Sequence, residues 1–170
     1  MSRPDPSEYN AYYGRYISLV PDGPIVDLLR EQISETLGVL RAIPEPRGEH
    51  RYAPGKWSIK EMVGHVADGE RVFSYRALRI GRGDETPLPG FEQDDYVRNG
   101  GFGARTLRHL VDELEAVRRG TVLLLEGFDD AAMLRLGTAS GFPVSVRALA
   151  YITAGHELHH LRMLRERYLA

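Results

Sequence analysis

Apolar residues recur at helical spacing in four separate stretches of this chain, each closed by proline, glycine or the chain end. No other feature limits the fold as much, because an amphipathic helix is stable only when its apolar stripe packs against another element. Over 25–43 the stripe is Ile25, Leu28, Leu29, Ile33, Thr36, Leu37 and Leu40, stopped by Pro44-Glu45-Pro46. Over 59–80, Ile59, Met62, Val66, Phe73, Ala77 and Ile80 share one face. Ser58, three residues before Glu61, predicts a capping box opening that helix. Over 105–125 the buried set is Leu107, Leu110, Val111, Leu114, Val117, Val122 and Leu125, ahead of the terminator Gly127. The fourth helix is expected from Ser145 to about Tyr168.

The remaining segments read as connections. Residues 1–24 form an N-terminal arm, with a short helix over 8–20 whose contacts are Tyr9, Tyr12, Tyr13 and Tyr16, ended by Pro21-Asp22-Gly23-Pro24. Residues 81–103 hold six glycines and two prolines and read as a long connection with a short turn around 92–97. A second connection, 129–143, contains a tight turn over 137–143, and no segment reads convincingly as a strand. The expected fold is all-α: a single-domain four-helix bundle over 25–170, with a long connection between helices 2 and 3.

Composition narrows the function. The chain has no cysteine, which removes disulfides, thiolate ligands and a cysteine nucleophile, so any metal must be held by His, Asp or Glu. A net charge of −2 with dispersed arginines gives no nucleic-acid footprint. No apolar run approaches a membrane span, and residues 1–20 are too polar for a signal peptide, so a cytoplasmic, non-membrane protein is expected.

Gly155-His156-Glu157-Leu158-His159-His160 places three of the six histidines within five positions. His156 and His160, four apart, fall on the apolar face of the fourth helix, with His159 at its edge and Glu157 on the opposite flank. Two imidazoles at that spacing can share a metal ion. His65 lies at the inward edge of the second helix, and Gly69, one turn later, leaves room for an ion, a water or a substrate. Three imidazoles from two facing helices can reach one ion and leave coordination positions open, the catalytic rather than the structural pattern. The run also matches His-Glu-x-x-His letter for letter. A classical metalloprotease is disfavoured, because only Glu166 could follow as third ligand and no sheet is expected to present a peptide. Asp68 and Glu157 are candidate proton-moving or ligand-orienting acids. Arg76, three turns beyond His65 on the same face, is a candidate for binding the carboxylate of a thiol substrate. Trp57 is expected to pack the entry to the second helix, and Tyr12 and Tyr13 to make apolar contacts.

Tyr52-Ala53-Pro54-Gly55-Lys56-Trp57-Ser58-Ile59-Lys60-Glu61, then Gly64-His65-Val66-Ala67-Asp68 and Glu70-Arg71, resembles the DinB-like superfamily of four-helix-bundle metalloenzymes. So do Arg76 to Ile80, Thr86 to Phe91, and Ser145 to Ile152 leading into Gly155 to His160. The resemblance runs from about Tyr9 to Tyr168. It implies a bundle topology other than the simplest up-down order. It further implies a divalent metal, nickel or zinc, on His65, His156 and His160, and a homodimer. The family name refers to DNA-damage induction and implies no DNA binding. Some relatives transfer or use low-molecular-weight thiols. The function expected on these grounds is a metal-dependent enzyme acting on a small molecule, leaning to a thiol S-transferase. The alternatives are a hydrolase of a small substrate and a non-catalytic, metal-binding stress-response module.

Overall fold

The computed structural model describes residues 2–170, so residue 1 of the expected arm lies outside the described residues. The helices are α1 (Gly14–Ile17), α2 (Ile25–Arg41), α3 (Ile59–Gly81), α4 (Gln93–Asn99), α5 (Leu107–Glu126), α6 (Asp130–Leu134) and α7 (Val146–Met163). A hairpin of β1 (Leu136–Ala139) and β2 (Phe142–Ser145) precedes α7, whose last turn widens into a π-helix over Leu164–Tyr168. The four long helices α2, α3, α5 and α7 are those the periodicity predicts, to within a few residues except at the C-terminal end of α7. The capping box at α3 is present: the Glu61 amide donates to Ser58 Oγ at 3.2 Å, and the Ser58 amide donates to Glu61 Oε2 at 2.6 Å. Thr106 and Ser145 cap α5 and α7 in the same way, through their hydroxyl oxygens.

α3 packs against α5 and α7, and α2 packs against the same two helices. The sequence neighbours α2 and α3 therefore stand on one diagonal of the bundle, and α5 and α7 on the other. A simple up-down bundle places sequence neighbours side by side. The two diagonal steps, α2 to α3 and α5 to α7, are made by the connections 42–58 and 127–145, whereas 82–106 joins the packed neighbours α3 and α5.

The hairpin corrects the strand-free reading of 129–143. Ser140 and Gly141 both have positive φ, 54° and 81°, and connect Ala139 to Phe142 as a type I′ turn. Four-residue strands are too short to show an alternation in the sequence. The hairpin also receives the 81–103 connection: the Leu88 amide donates to Thr138 O at 2.9 Å, and the Ser140 amide donates to Leu88 O at 2.9 Å.

The apolar core is in two parts. One gathers Ile17, Leu29, Phe73, Ile80, Leu149 and Ile152, and the other Leu37, Met62, Val66, Leu110, Leu114 and Leu161. On each long helix the two sets are separated by a short interval, and in α3, α5 and α7 those intervals carry buried polar residues: Glu70, Arg118, and His156, Glu157 and His160, with His65 on the turn of α3 just before its interval. A polar layer therefore crosses the middle of the bundle.

The arm, broken into two 3-10 turns and the four-residue α1 where a single short helix is expected, lies against α7. A Cβ on Gly155 would stand 2.1 Å from the carbonyl oxygen of Tyr16, so only glycine admits this approach. Gly155→Ala is expected to destabilise the protein by about 2–3 kcal/mol in urea unfolding, because backbone rather than a movable side chain is in the way. At the arm's start, Glu8 accepts hydrogen bonds from Ser145 Oγ at 2.6 Å and Arg147 Nε at 2.8 Å. Arg147 holds the Glu8 carboxyl at about 2, against 4.5 ordinarily. Because the folded value is depressed, this anchoring is complete above the unfolded value and is lost as pH falls from 4.5 towards 2. Glu8→Gln is expected to cost about 1–3 kcal/mol at neutral pH, and its difference from wild type should shrink through that window in acid-unfolding curves.

Candidate functional site

His65 comes from the second turn of α3, while His156 and His160 stack on one face of α7. One ring nitrogen from each lies within 4.8 Å of the others, and all three residues are largely buried. His65 Nε2 and His156 Nε2 are 3.0 Å apart, and the ring centroids of His156 and His160 are 4.6 Å apart. Two nitrogens bound at about 2.0–2.1 Å to one tetrahedral ion stand roughly 3.3 Å apart, so the observed spacing suits a shared ion. Among the described residues, no protein group hydrogen-bonds the His160 ring. Burial drives His65 down to about 4, with Asp94 opposing the shift, and holds His156 and His160 well below the usual histidine value. All three rings are therefore neutral at neutral pH and offer lone pairs, as metal ligation requires. The donor set, its spacing and its protonation fit a divalent ion.

Aromatic rings surround the cluster. Trp57 packs on His65 with centroids 4.7 Å apart, and Tyr16 and Phe73 present their edges to His156 at 5.4 and 5.7 Å. A Cβ on Gly69 would come within 3.0 Å of the His156 ring, so the glycine makes room for the ring itself. Two clefts lead to the histidines. One, of about 360 Å³, passes Arg15, Lys56, Trp57, Asp94 and His159 to reach His160. The other, of about 270 Å³, passes Tyr13, Phe73, Phe91 and Glu92 to reach His65 and His156. Tyr12, Tyr16 and Gln93 line both. Arm and long connection thus wall the site.

His159 lines the first cleft with its ring centroid 5.3 Å from that of Tyr16, outside the converging three. Glu157 does not face the histidines. It is fully buried and paired with Arg118 Nη1 at 2.6 Å, and Gln32 Nε2 donates to the same carboxylate oxygen at 2.6 Å. Arg118 also donates to both oxygens of Glu70 at 2.8 Å and to Leu29 O at 3.1 Å. Asp68 pairs with Arg71 at 3.3 Å on a half-exposed flank, where burial raises its carboxyl above the ordinary value. Arg76 is buried away from both clefts and donates to Pro89 O at 2.7 Å and Ser140 Oγ at 2.9 Å. It clamps the long connection to the hairpin, so its guanidinium is committed to the fold. The carboxylate whose charge reaches His65 is Asp94, at the start of α4. Sequence reasoning missed Asp94 and Arg15, because neither lies near a histidine in the chain. Their only signal was a long glycine-rich connection and an aromatic arm.

An all-α bundle with diagonal connectivity and three converging histidines defines a class, and the comparisons name it. The chain belongs to the DinB superfamily, whose model matches residues 28–164. Among curated proteins none matches by sequence. YfiT from Bacillus subtilis, described as a probable metal-dependent hydrolase with an unusual four-helix bundle topology, superposes with a TM-score of 0.75 at 15% identity, over 97% of this chain and 90% of that one. A mycothiol-dependent maleylpyruvate isomerase superposes with a TM-score of 0.69 at 18% identity, over 83% of this chain and 60% of that one. At these identities the shared property is the fold.

Glu70 and Glu157 depend on one guanidinium for charge compensation. Arg118→Met should therefore cost about 3–5 kcal/mol in urea unfolding, since it leaves two carboxylates buried without a cation.

Proposed function

We propose that the protein is a metal-dependent enzyme that activates a small nucleophile at His65, His156 and His160. The observation that carries this reading is the convergence of three neutral, buried imidazoles at the foot of two solvent-connected clefts. A divalent ion on three protein ligands supplies Lewis acidity and lowers the pKa of a bound water or thiol, with positions left for substrate. Trp57, Tyr16 and Phe73 hold the rings in place and keep bulk water from their edges. Asp94 stands on the cleft wall with no ion-pair partner among the described residues, and is the group best placed to move a proton to or from a bound molecule. Glu157 acts through Arg118 to set the rotation of α7, as a positioning residue.

The nucleophile we favour is a low-molecular-weight thiol, making the protein an S-transferase or thiol-dependent isomerase. The chain has no cysteine of its own, and the fold is shared with a mycothiol-dependent enzyme. Water as the nucleophile, giving a hydrolase, is the second reading, supported by the likeness to YfiT over nearly the whole chain.

Metal analysis of the purified protein tests the centre directly. The expected result is close to one equivalent of nickel or zinc per chain, falling at least about tenfold in affinity for His65→Ala, His156→Ala or His160→Ala. Glu157→Gln should keep its metal and lose stability instead. Substoichiometric metal after reconstitution, unchanged by His65→Ala, would falsify the centre. With metal confirmed, thiol-conjugation and esterase screens separate the two nucleophiles.

A further inference from the structure

The cleft that ends at His160 is not electrically neutral. Arg15 and Lys56 both line it, and among the described residues neither forms an ion pair with a carboxylate. Arg15 is also held still. Its guanidinium stacks 3.7 Å from the centroid of Tyr12 and 4.8 Å from that of Tyr16, and Nη2 donates to Tyr16 Oη at 3.1 Å. Most arginines here are used in ion pairs or on carbonyl oxygens: Arg71 on Asp68, Arg118 on Glu70 and Glu157, Arg76 on Pro89. A guanidinium fixed by two rings with donors still free is organised in advance for an oxyanion, and loses little rotamer entropy on binding one. One carboxylate, Asp94, shares this cleft, leaving two cations against one anion. Between this mouth and His160 the walls are Tyr16, Tyr52, Trp57 and Met163.

We infer that Arg15 and Lys56 form an anion subsite, and that the cleft takes a small organic oxyanion with a flat apolar body, its charged end at Arg15 and its body pointing to His160. This deepens the reading of the histidines as the reactive centre, since it names the class of molecule delivered there. The subsite itself needs no metal.

Trp57 is the only tryptophan in the chain and lines the same cleft, so its fluorescence reports entry. Benzoate and its neutral isostere benzamide are titrated into the full-length protein at low salt, as purified and after chelator treatment. Benzoate is expected to bind at least about tenfold more tightly than benzamide in both preparations. Arg15→Gln should remove that preference while leaving the benzamide response unchanged, and Lys56→Gln should weaken it by roughly threefold. Equal binding of the two probes overturns the proposal. So does a benzoate preference that survives Arg15→Gln and vanishes with the chelator, because the carboxylate would then sit on the metal. That last result would leave the metal centre standing. Conversely, an Arg15-dependent preference in a protein that holds no metal would keep the subsite and remove the centre.

Discussion

Arg118 places one guanidinium where all four long helices meet. From α5 it grips Glu70 on α3 and Glu157 on α7, and it donates to the Leu29 carbonyl on α2, while Gln32 on α2 donates to the same Glu157 oxygen. Burying an arginine with two carboxylates is not a cheap source of stability, because desolvation offsets most of the attraction. What it does supply is register. An apolar stripe tolerates sliding or rotation by part of a turn, whereas a buried bidentate pair is satisfied at one setting only. This pin divides the apolar core in two, with Leu29, Ile80 and Ile152 at one end and Leu37, Leu114 and Leu161 at the other.

The site depends on that setting. Glu157 is adjacent to His156 in sequence, so turning Glu157 inward to Arg118 turns His156 and His160 to the flank of α7 that meets α3. His65 arrives there because α3 and α7 are direct neighbours, a result of the diagonal placement of α2 and α3. Two segments outside the four long helices wall the site. The 81–103 segment brings Glu92, Gln93 and Asp94 over the histidines, anchored by Arg76 and the hairpin. The arm brings Tyr12, Arg15 and Tyr16, anchored by Glu8 and by close approach to Gly155.

Much of this was legible in the residues. The stripes from Ile25 to Leu40, Ile59 to Ile80 and Leu107 to Leu125 predicted α2, α3 and α5, and the Ser58–Glu61 box predicted where α3 begins. The i, i+4 spacing of His156 and His160 put them on one face, and the inward position of His65 singled it out from the other helix. Glu157 and Arg76 were singled out for the site by proximity along a helix, yet both are spent on the fold. Helical spacing gives the face a residue lies on, but not which neighbour holds the opposite charge. The hairpin escaped notice for a similar reason, since its register is set by the Ser140-Gly141 turn and by Leu88 docking from a distant segment.

The sequence by itself determined the four long helices and the faces on which their histidines lie. Periodicity, caps and breakers act within a few residues, and so does the pairing of histidines on one helix. The tertiary structure alone decided which helices are neighbours, which carboxylate serves the core and which stands at the site, and that the arm and the long connection wall the clefts. Those outcomes rest on contacts between segments far apart in the chain: Arg118 with Glu70 and Glu157, Arg76 with Pro89 and Ser140, and Tyr16 against Gly155. No local pattern encodes such contacts, because each depends on the packing of the whole bundle.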